Sequence, residues 1–302
     1  MVSIATTQPP FCLPSLVQFL QRFPYPMGEK VTGPTEVSRL FEDEEKRLVQ
    51  IRLGAEGLVS DRLISPATMT RARQVFELDS RVREELTKHR RSDWLGRAVQ
   101  LPVLRWADSF AAMISSVIEQ QTSWRQALKS IDLAFRLSRR RAGELALFPT
   151  PEEFIERPEI LDGMPITYRR KDLIRELSSA VIDEPDFFDA MCTDLEQAES
   201  RLVRVKGIGP WTARVFLSKR FGFRRAVPTN DVALQRAAAH FILDEQRKMT
   251  QEELAEKLSE FGALAGEAAH RLLIRWVLET YPLRSGWSTA VTSRTAGIDL
   301  PR

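Results

Sequence analysis

Residues 202–234 of the chain read LVRVKGIGPWTARVFLSKRFGFRRAVPTNDVAL. At their centre Val205-Lys206-Gly207-Ile208-Gly209-Pro210-Trp211-Thr212-Ala213 joins two helical patterns through a tight turn. Gly207 and Gly209 allow the reversal and let the backbone approach a ligand closely. Pro210 falls in the first turn of the following helix, where its missing N–H costs nothing. The other amides of that turn point outward, and with the helix dipole they form an anion site suited to a nucleic-acid phosphate. Such a contact positions a duplex without reading its sequence. Further on, Asn230-Asp231 opens another helix, continued by Val232, Ala233 and Leu234. Two readings stand here. In one, Asn230 or Asp231 simply caps the helix. In the other, the same dipole favours an ionised carboxylate, which beside a sugar stabilises an oxocarbenium-like transition state or orients a water.

Working outward, residues 1–65 alternate in the manner of strands. Val2, Ile4 and Thr6 suggest a first strand, and Phe11 to Phe23 a helix with Leu16, Phe19 and Leu20 on one face. Glu36–Glu42, Arg47–Leu53 and Gly57–Ile64 read as three more strands. Ser65-Pro66 opens a helix to Phe76, and beyond it no strand of any strength is expected. Asp108 caps a helix over 109–120 whose Phe110, Met113, Ile114, Val117 and Ile118 form an apolar stripe. Thr150 with Glu153 predicts a capping box. Helices are expected over 123–139, 168–182, 185–192, 194–204, 210–221, 231–242, 250–261 and 266–280. The expected fold class is therefore α+β: a small antiparallel-sheet N-terminal domain with a linker helix (1–90), an all-α body (91–283) and a tail (284–302).

Composition bounds the function. The 302 residues are 43% hydrophobic and 28% charged, as in a soluble protein. No apolar run approaches the roughly 20 residues of a membrane span, and the N-terminus does not read as a signal peptide, so a cytoplasmic monomer is expected. Cys12 and Cys192 give no disulfide framework, and His89, His240 and His270 are too scattered for a metal cluster. Net charge is only +3. Basic groups cluster at Arg136/Arg139/Arg140/Arg141, Arg169/Arg170/Lys171/Arg175 and Lys219/Arg220/Arg224/Arg225. Each reads either as part of a phosphate track or as a solvated helix face.

The glycine hairpin with its downstream aspartate resembles the helix-hairpin-helix DNA glycosylase superfamily, and within it the bacterial 3-methyladenine DNA glycosylase II family. The likeness extends over most of the chain: Gln8-Pro9-Pro10 before an aromatic, RQVFELD at 73–79, SVIEQQT at 116–122 and Gly163-Met164-Pro165. It implies that Asp231 is the catalytic aspartate. It implies that Trp211 stands where bifunctional relatives carry a Schiff-base lysine, hence a monofunctional enzyme. Lys206 sits where a proline is usual, so it is read as a phosphate contact and not as the nucleophile. The implied base pocket comprises Trp211, Trp276, Phe19 and Val215, although Trp276 and Phe19 also fit plain core packing. Gln121 matches the wedge that fills the gap left by a flipped base, and it also fits a surface helix end. Lys206, Gly207, Ile208, Gly209 and Thr212 would hold the phosphate. Backbone carbonyls near Val203, Val205 and Ile208 would hold a structural Na or K ion; no cofactor is required. Three positions depart from the family pattern. Val215 replaces a pocket tyrosine, Asn230 an acidic neighbour, and Glu267 lies near an expected basic residue.

The implied activity is excision of alkylated purines, such as 3-methyladenine and 7-methylguanine, from double-stranded DNA by N-glycosidic hydrolysis in base excision repair. The alternatives are a non-catalytic helix-hairpin-helix DNA-binding protein, or a glycosylase for deaminated or oxidised bases.

Overall fold

The computed structural model describes residues 2–5, 9–22 and 28–280. Thr6, Gln8, Phe23 and the tail at 284–302 lie outside the described residues. In chain order the elements are β1 Val2–Ala5, α1 Leu13–Arg22, β2 Glu29–Gly33, β3 Glu36–Glu42, β4 Leu48–Gly54, β5 Gly57–Ser60 and α2 Pro66–Val75. Then come α3 Val82–Lys88, a 3₁₀ segment Ser92–Gln100, α4 Ser109–Ile118, α5 Trp124–Leu137 and the strand pair β6 Arg141–Ala142 and β7 Leu145–Ala146. The rest is helical: α6 Pro151–Glu156, α7 Pro158–Asp162, α8 Tyr168–Asp183, α9 Phe187–Met191, α10 Leu195–Leu202, α11 Pro210–Phe221, α12 Val232–Ala238, a π turn Ala239–Leu243, α13 Gln251–Ser259 and α14 Ala265–Thr280.

The fold is α+β, with an antiparallel sheet followed by a helical body. The sheet has five strands in the order β1-β5-β4-β3-β2, one more than the sequence pattern indicates. The extra strand, β2, is short and only partly buried, so its apolar alternation is weak. The β6–β7 ladder also corrects the expectation of no strand beyond residue 76. With two residues per strand it carries no periodicity to detect. α3, α7 and the 3₁₀ segment were likewise not predicted.

Helix starts follow the local chemistry. The Ser65 hydroxyl accepts the Thr68 amide with Pro66 in the first turn, the Asp108 carboxylate accepts the Ala111 amide at 2.7 Å, and Thr150 and Glu153 form the reciprocal capping box. α4 exceeds its predicted stripe, because every one of its residues is buried. It is the central helix of the body, packed on α8 and α11. Truncating a side chain such as Ile114, which is fully buried, to alanine costs about 2–5 kcal/mol.

α14 ties the molecule together. Its Ile274 and Leu278 enter the core formed by α1, the sheet and α2. Its Ala268, Ala269 and Leu272 pack with α3, α12 and α13. A buried ion network reinforces this seam. Glu77 faces Arg83 at 3.1 Å and Arg271 at 3.3 Å, while Glu267 bridges Arg105 and Arg271. Burial pushes the Glu267 carboxyl up, but Arg105 and then Arg271 outweigh it and hold it below the ordinary range. Glu267, read from the sequence as a departure near an expected basic residue, is therefore a buried link in this seam.

Candidate active site

A cleft of about 1740 Å³ opens between the hairpin, the end of α4, α8 and α14. Phe19, Gln121, Lys206, Gly207, Gly209, Trp211, Thr212, Val215, Asp231 and Trp276, all expected from the sequence, line it. Ile208 does not; it is buried beneath the hairpin, where its amide donates to the Val205 carbonyl at 3.0 Å.

The hairpin glycines act differently. Gly207 has φ +91°, and a Cβ there would lie 2.8 and 2.9 Å from the two Leu173 methyls. Gly209 has φ −93° and ψ 175°, and a Cβ there would meet nothing within 4 Å. Gly207 is thus required by the fold, whereas Gly209 leaves an open approach to the first turn of α11. Gly209 is the N-cap and supplies no side-chain bond, so no cap side chain meets the first-turn amides, which have no acceptor within the helix. Lys206, Arg169 and Arg236 stand exposed on the same rim.

Asp231 is the helix cap of the first reading, and its carboxylate makes one further contact. Its Oδ1 accepts the Leu234 amide at 2.9 Å as the N-cap of α12. Its Oδ2 accepts the indole N–H of Trp211 at 3.1 Å. Trp211 therefore walls the cleft and also fixes the carboxylate. Asn230 is exposed and does not cap. Trp276 is half-buried, edge-on to His240 at 5.6 Å and to Phe241 at 6.1 Å, and it belongs to the cleft wall as well as to the packing of α14. Gln121 is exposed with φ +43°, a conformation that a non-glycine residue adopts at a cost.

Several site features were missed. The Gln120 side-chain amide donates to the Gly207 carbonyl at 3.0 Å and to the Thr212 hydroxyl at 2.9 Å. It clamps the Gln121 turn to the hairpin. Lys219, read from the sequence as part of a phosphate track or of a solvated helix face, instead lines the cleft and meets Glu119 at 2.7 Å. Burial pulls its pKa down, and Glu119 and Asp231 oppose that pull. The signal was available: Trp211, Val215 and Lys219 fall at i, i+4 and i+8 on one face of α11. Also in the cleft, the Ser218 hydroxyl meets Nδ1 of His270 at 3.1 Å. Burial, then the Arg105 charge, push His270 down to about 3, so its ring is neutral near pH 7.

The other basic clusters are largely spoken for within the protein. Arg136 pairs with Asp132, Arg139 with Glu156 and Arg140 with Glu42. Lys171 is buried and donates to the Asp162 carbonyl. Arg224 pairs with Glu85 and Arg225 with Glu196. Among the described residues, no group of three or more His, Cys, Asp or Glu side chains is placed to hold a metal ion. No helix among them is long and apolar enough to cross a membrane.

Comparison with solved structures places this architecture. A 3-methyladenine DNA glycosylase from Archaeoglobus fulgidus superposes with a TM-score of 0.74, covering 91% of this chain and 98% of that one at 17% identity. The chain has the helix-hairpin-helix DNA glycosylase fold. An 8-oxoguanine glycosylase/lyase from Clostridium acetobutylicum, bound to duplex DNA with cytosine opposite 8-oxoguanine, follows at 0.63, covering 85% and 90% at 14% identity. The Schizosaccharomyces pombe 3-methyladenine DNA glycosylase bound to abasic DNA gives 0.51, covering 70% and 99% at 20% identity. No family model matches the chain. In sequence, a probable bifunctional transcriptional activator/DNA repair enzyme AlkA from two Mycobacterium tuberculosis strains is 29% identical over 160 residues. That match covers 51% of this chain, which spans about a third (32%) of the length of those relatives.

Proposed function

We propose that the chain is a monofunctional DNA glycosylase that hydrolyses the N-glycosidic bond of alkylated purines, such as 3-methyladenine and 7-methylguanine, in double-stranded DNA. The observation that carries this reading is the Asp231 carboxylate, fixed by the Trp211 indole and the Leu234 amide inside the cleft that the hairpin borders. The hairpin amides hold a phosphate, and Lys206, Arg169 and Arg236 add charge on the rim. Gln121, clamped through Gln120, enters the duplex where a nucleotide has been turned out. Extrusion costs a few kcal/mol and is required, because a stacked base cannot reach a cleft.

The chemistry then follows. The C1′–N bond breaks with its electron pair passing to the base nitrogen, so a cationic alkylated purine departs neutral. The Asp231 carboxylate stabilises the positive charge developing on the sugar. Water adds its oxygen to C1′ and gives a proton to Asp231. Trp276 and Trp211 favour a cationic base by about 0.5–2 kcal/mol per ring contact. Trp211 offers no amine where a Schiff-base lysine would stand, which supports hydrolysis without a lyase step. A monovalent cation at the Val203, Val205 and Ile208 carbonyls fits the turn in one respect: the Val205 carbonyl accepts the Ile208 amide and carries a second lone pair. Such an ion would brace the hairpin. The site of action would be nucleoid DNA in the cytoplasm.

The test is incubation with duplexes carrying single methylated, deaminated or oxidised bases, followed by alkali. Alkali-dependent breaks at alkylated purines, with no break before alkali, are expected. Binding without any base release would leave a DNA-binding protein and end the enzymatic reading.

A further inference from the structure

Among the charged groups of the cleft that the mechanism does not use is one close, buried pair: the Lys219 ammonium and the Glu119 carboxylate, 2.7 Å apart with side chains 11% and 6% exposed. A buried ion pair adds little stability over well-packed apolar side chains, so its placement calls for another account. Glu119 adjoins Gln120, whose side chain is bonded to the hairpin. The Glu119 backbone therefore lies near the hairpin, and its carboxylate reaches the Lys219 ammonium. Lys219 lies two turns into that helix, about 12 Å along its axis from Trp211. Helical side chains lean toward the N-terminus, and the contact with Glu119 draws the ammonium back toward the hairpin. Its reach is shared by Ser115, whose hydroxyl it meets at 3.3 Å. Val215 stands between Trp211 and Lys219 on the same face, and all three line the cleft. A small side chain at 215 leaves this charged pair within reach of whatever fills the space below Asp231.

We infer that the Lys219–Glu119 pair reads the edge of the extruded base and selects 6-oxopurines, such as 7-methylguanine and hypoxanthine, over 3-methyladenine. The inference rests on the proposed glycosylase activity and names its preferred substrates. A 6-oxopurine presents an acceptor, O6, beside a donor, N1–H. An ammonium donates and a carboxylate accepts, so the pair matches that edge bond for bond. An adenine-derived base presents the reverse, an amino donor beside a ring-nitrogen acceptor. Against this pair, donor would face donor and acceptor would face acceptor. The pair carries no net charge, so it accommodates both neutral hypoxanthine and cationic 7-methylguanine. Selection therefore comes from hydrogen-bond pattern and not from base charge.

The experiment uses the full chain on DNA methylated with dimethyl sulfate, which contains both 7-methylguanine and 3-methyladenine, and on a duplex with one hypoxanthine. Released bases are separated and counted under single-turnover conditions. The wild type should favour 7-methylguanine and should release hypoxanthine. Lys219→Met should lower the ratio of 7-methylguanine to 3-methyladenine release about tenfold or more, the range for one buried hydrogen bond lost with its partner left behind. Because that variant strands the Glu119 charge, the double variant Lys219→Met/Glu119→Leu is measured beside it and should show the same fall. A wild-type preference for 3-methyladenine, or a ratio unmoved in the double variant, overturns this inference while leaving glycosylase activity in place. No release of any base by the wild type overturns the glycosylase reading and this inference together.

Discussion

Replacing each hairpin glycine by alanine separates a folding requirement from a binding requirement. At Gly207 the φ of +91° costs an L-residue about 1–2 kcal/mol. The new methyl would also lie 2.8 and 2.9 Å from the Leu173 methyls, and relieving such overpacking costs about 1–3 kcal/mol. The alanine restricts the unfolded chain, which returns about 0.4–1 kcal/mol. Gly207→Ala should therefore be destabilised by about 2–3 kcal/mol. Adding Leu173→Ala should show a favourable coupling, because the clash is with that side chain. At Gly209 the backbone angles suit any residue before proline, and the methyl meets nothing within 4 Å. Its stability should change by less than about 0.5 kcal/mol, the usual range for an uncrowded surface site. The methyl would instead occupy the approach to the first turn of α11, and affinity for an abasic duplex should fall about tenfold, one lost charge-assisted contact. Urea unfolding gives the first quantity and fluorescence anisotropy the second. A Gly209→Ala variant that binds DNA like the wild type would refute phosphate docking at this turn. A Gly207→Ala variant as stable as the wild type would refute the packing argument.

Other consequences are open to direct measurement. Because folding lowers the His270 pKa to about 3, the unfolded chain binds an extra proton between that value and about 6.5. Stability from this group is fully present above about pH 6.5 and is lost as pH falls toward 3. Between pH 7 and pH 5 the loss is about 2 kcal/mol, and His270→Gln should flatten that part of the profile; an unaltered slope would show that other groups set it. Borohydride added to a reaction on damaged duplex should trap no covalent adduct, and an adduct would contradict hydrolysis at a hairpin lacking a lysine at position 211. Gln121→Ala should weaken binding to abasic duplex several-fold, whereas unchanged affinity would return Gln121 to an ordinary surface role.

The elements whose code is local were legible in the sequence. Ser65-Pro66, Asp108, Thr150 with Glu153, and the Gly207–Pro210 turn each fix a helix end through neighbours within a few residues. β2 and the β6–β7 pair were not legible, because partly buried or two-residue strands carry little periodicity. In the site, Asp231 and Trp211 were each singled out, but the hydrogen bond that joins them depends on how α11 and α12 meet. Lys219 looked like one more surface cation in a basic run. Only tertiary packing turned it inward against Glu119, and the same packing paired Arg140 with Glu42, nearly a hundred residues away in sequence. Glu267 could be assigned only once Arg105 and Arg271 were seen on either side of it.

The central claim is that Asp231 performs chemistry and is not only a helix cap. Asparagine caps a helix about as well as aspartate does, with its one side-chain carbonyl on the Leu234 amide; its NH2 then faces the Trp211 indole N–H, so that single bond is lost. Asp231→Asn should therefore remain folded, losing about 1–2 kcal/mol for that one bond, and keep abasic-DNA affinity. Its single-turnover excision rate on a 7-methylguanine duplex should drop about 10²–10³-fold, the scale for losing one transition-state charge contact. A variant that excises at close to the wild-type rate would contradict the account.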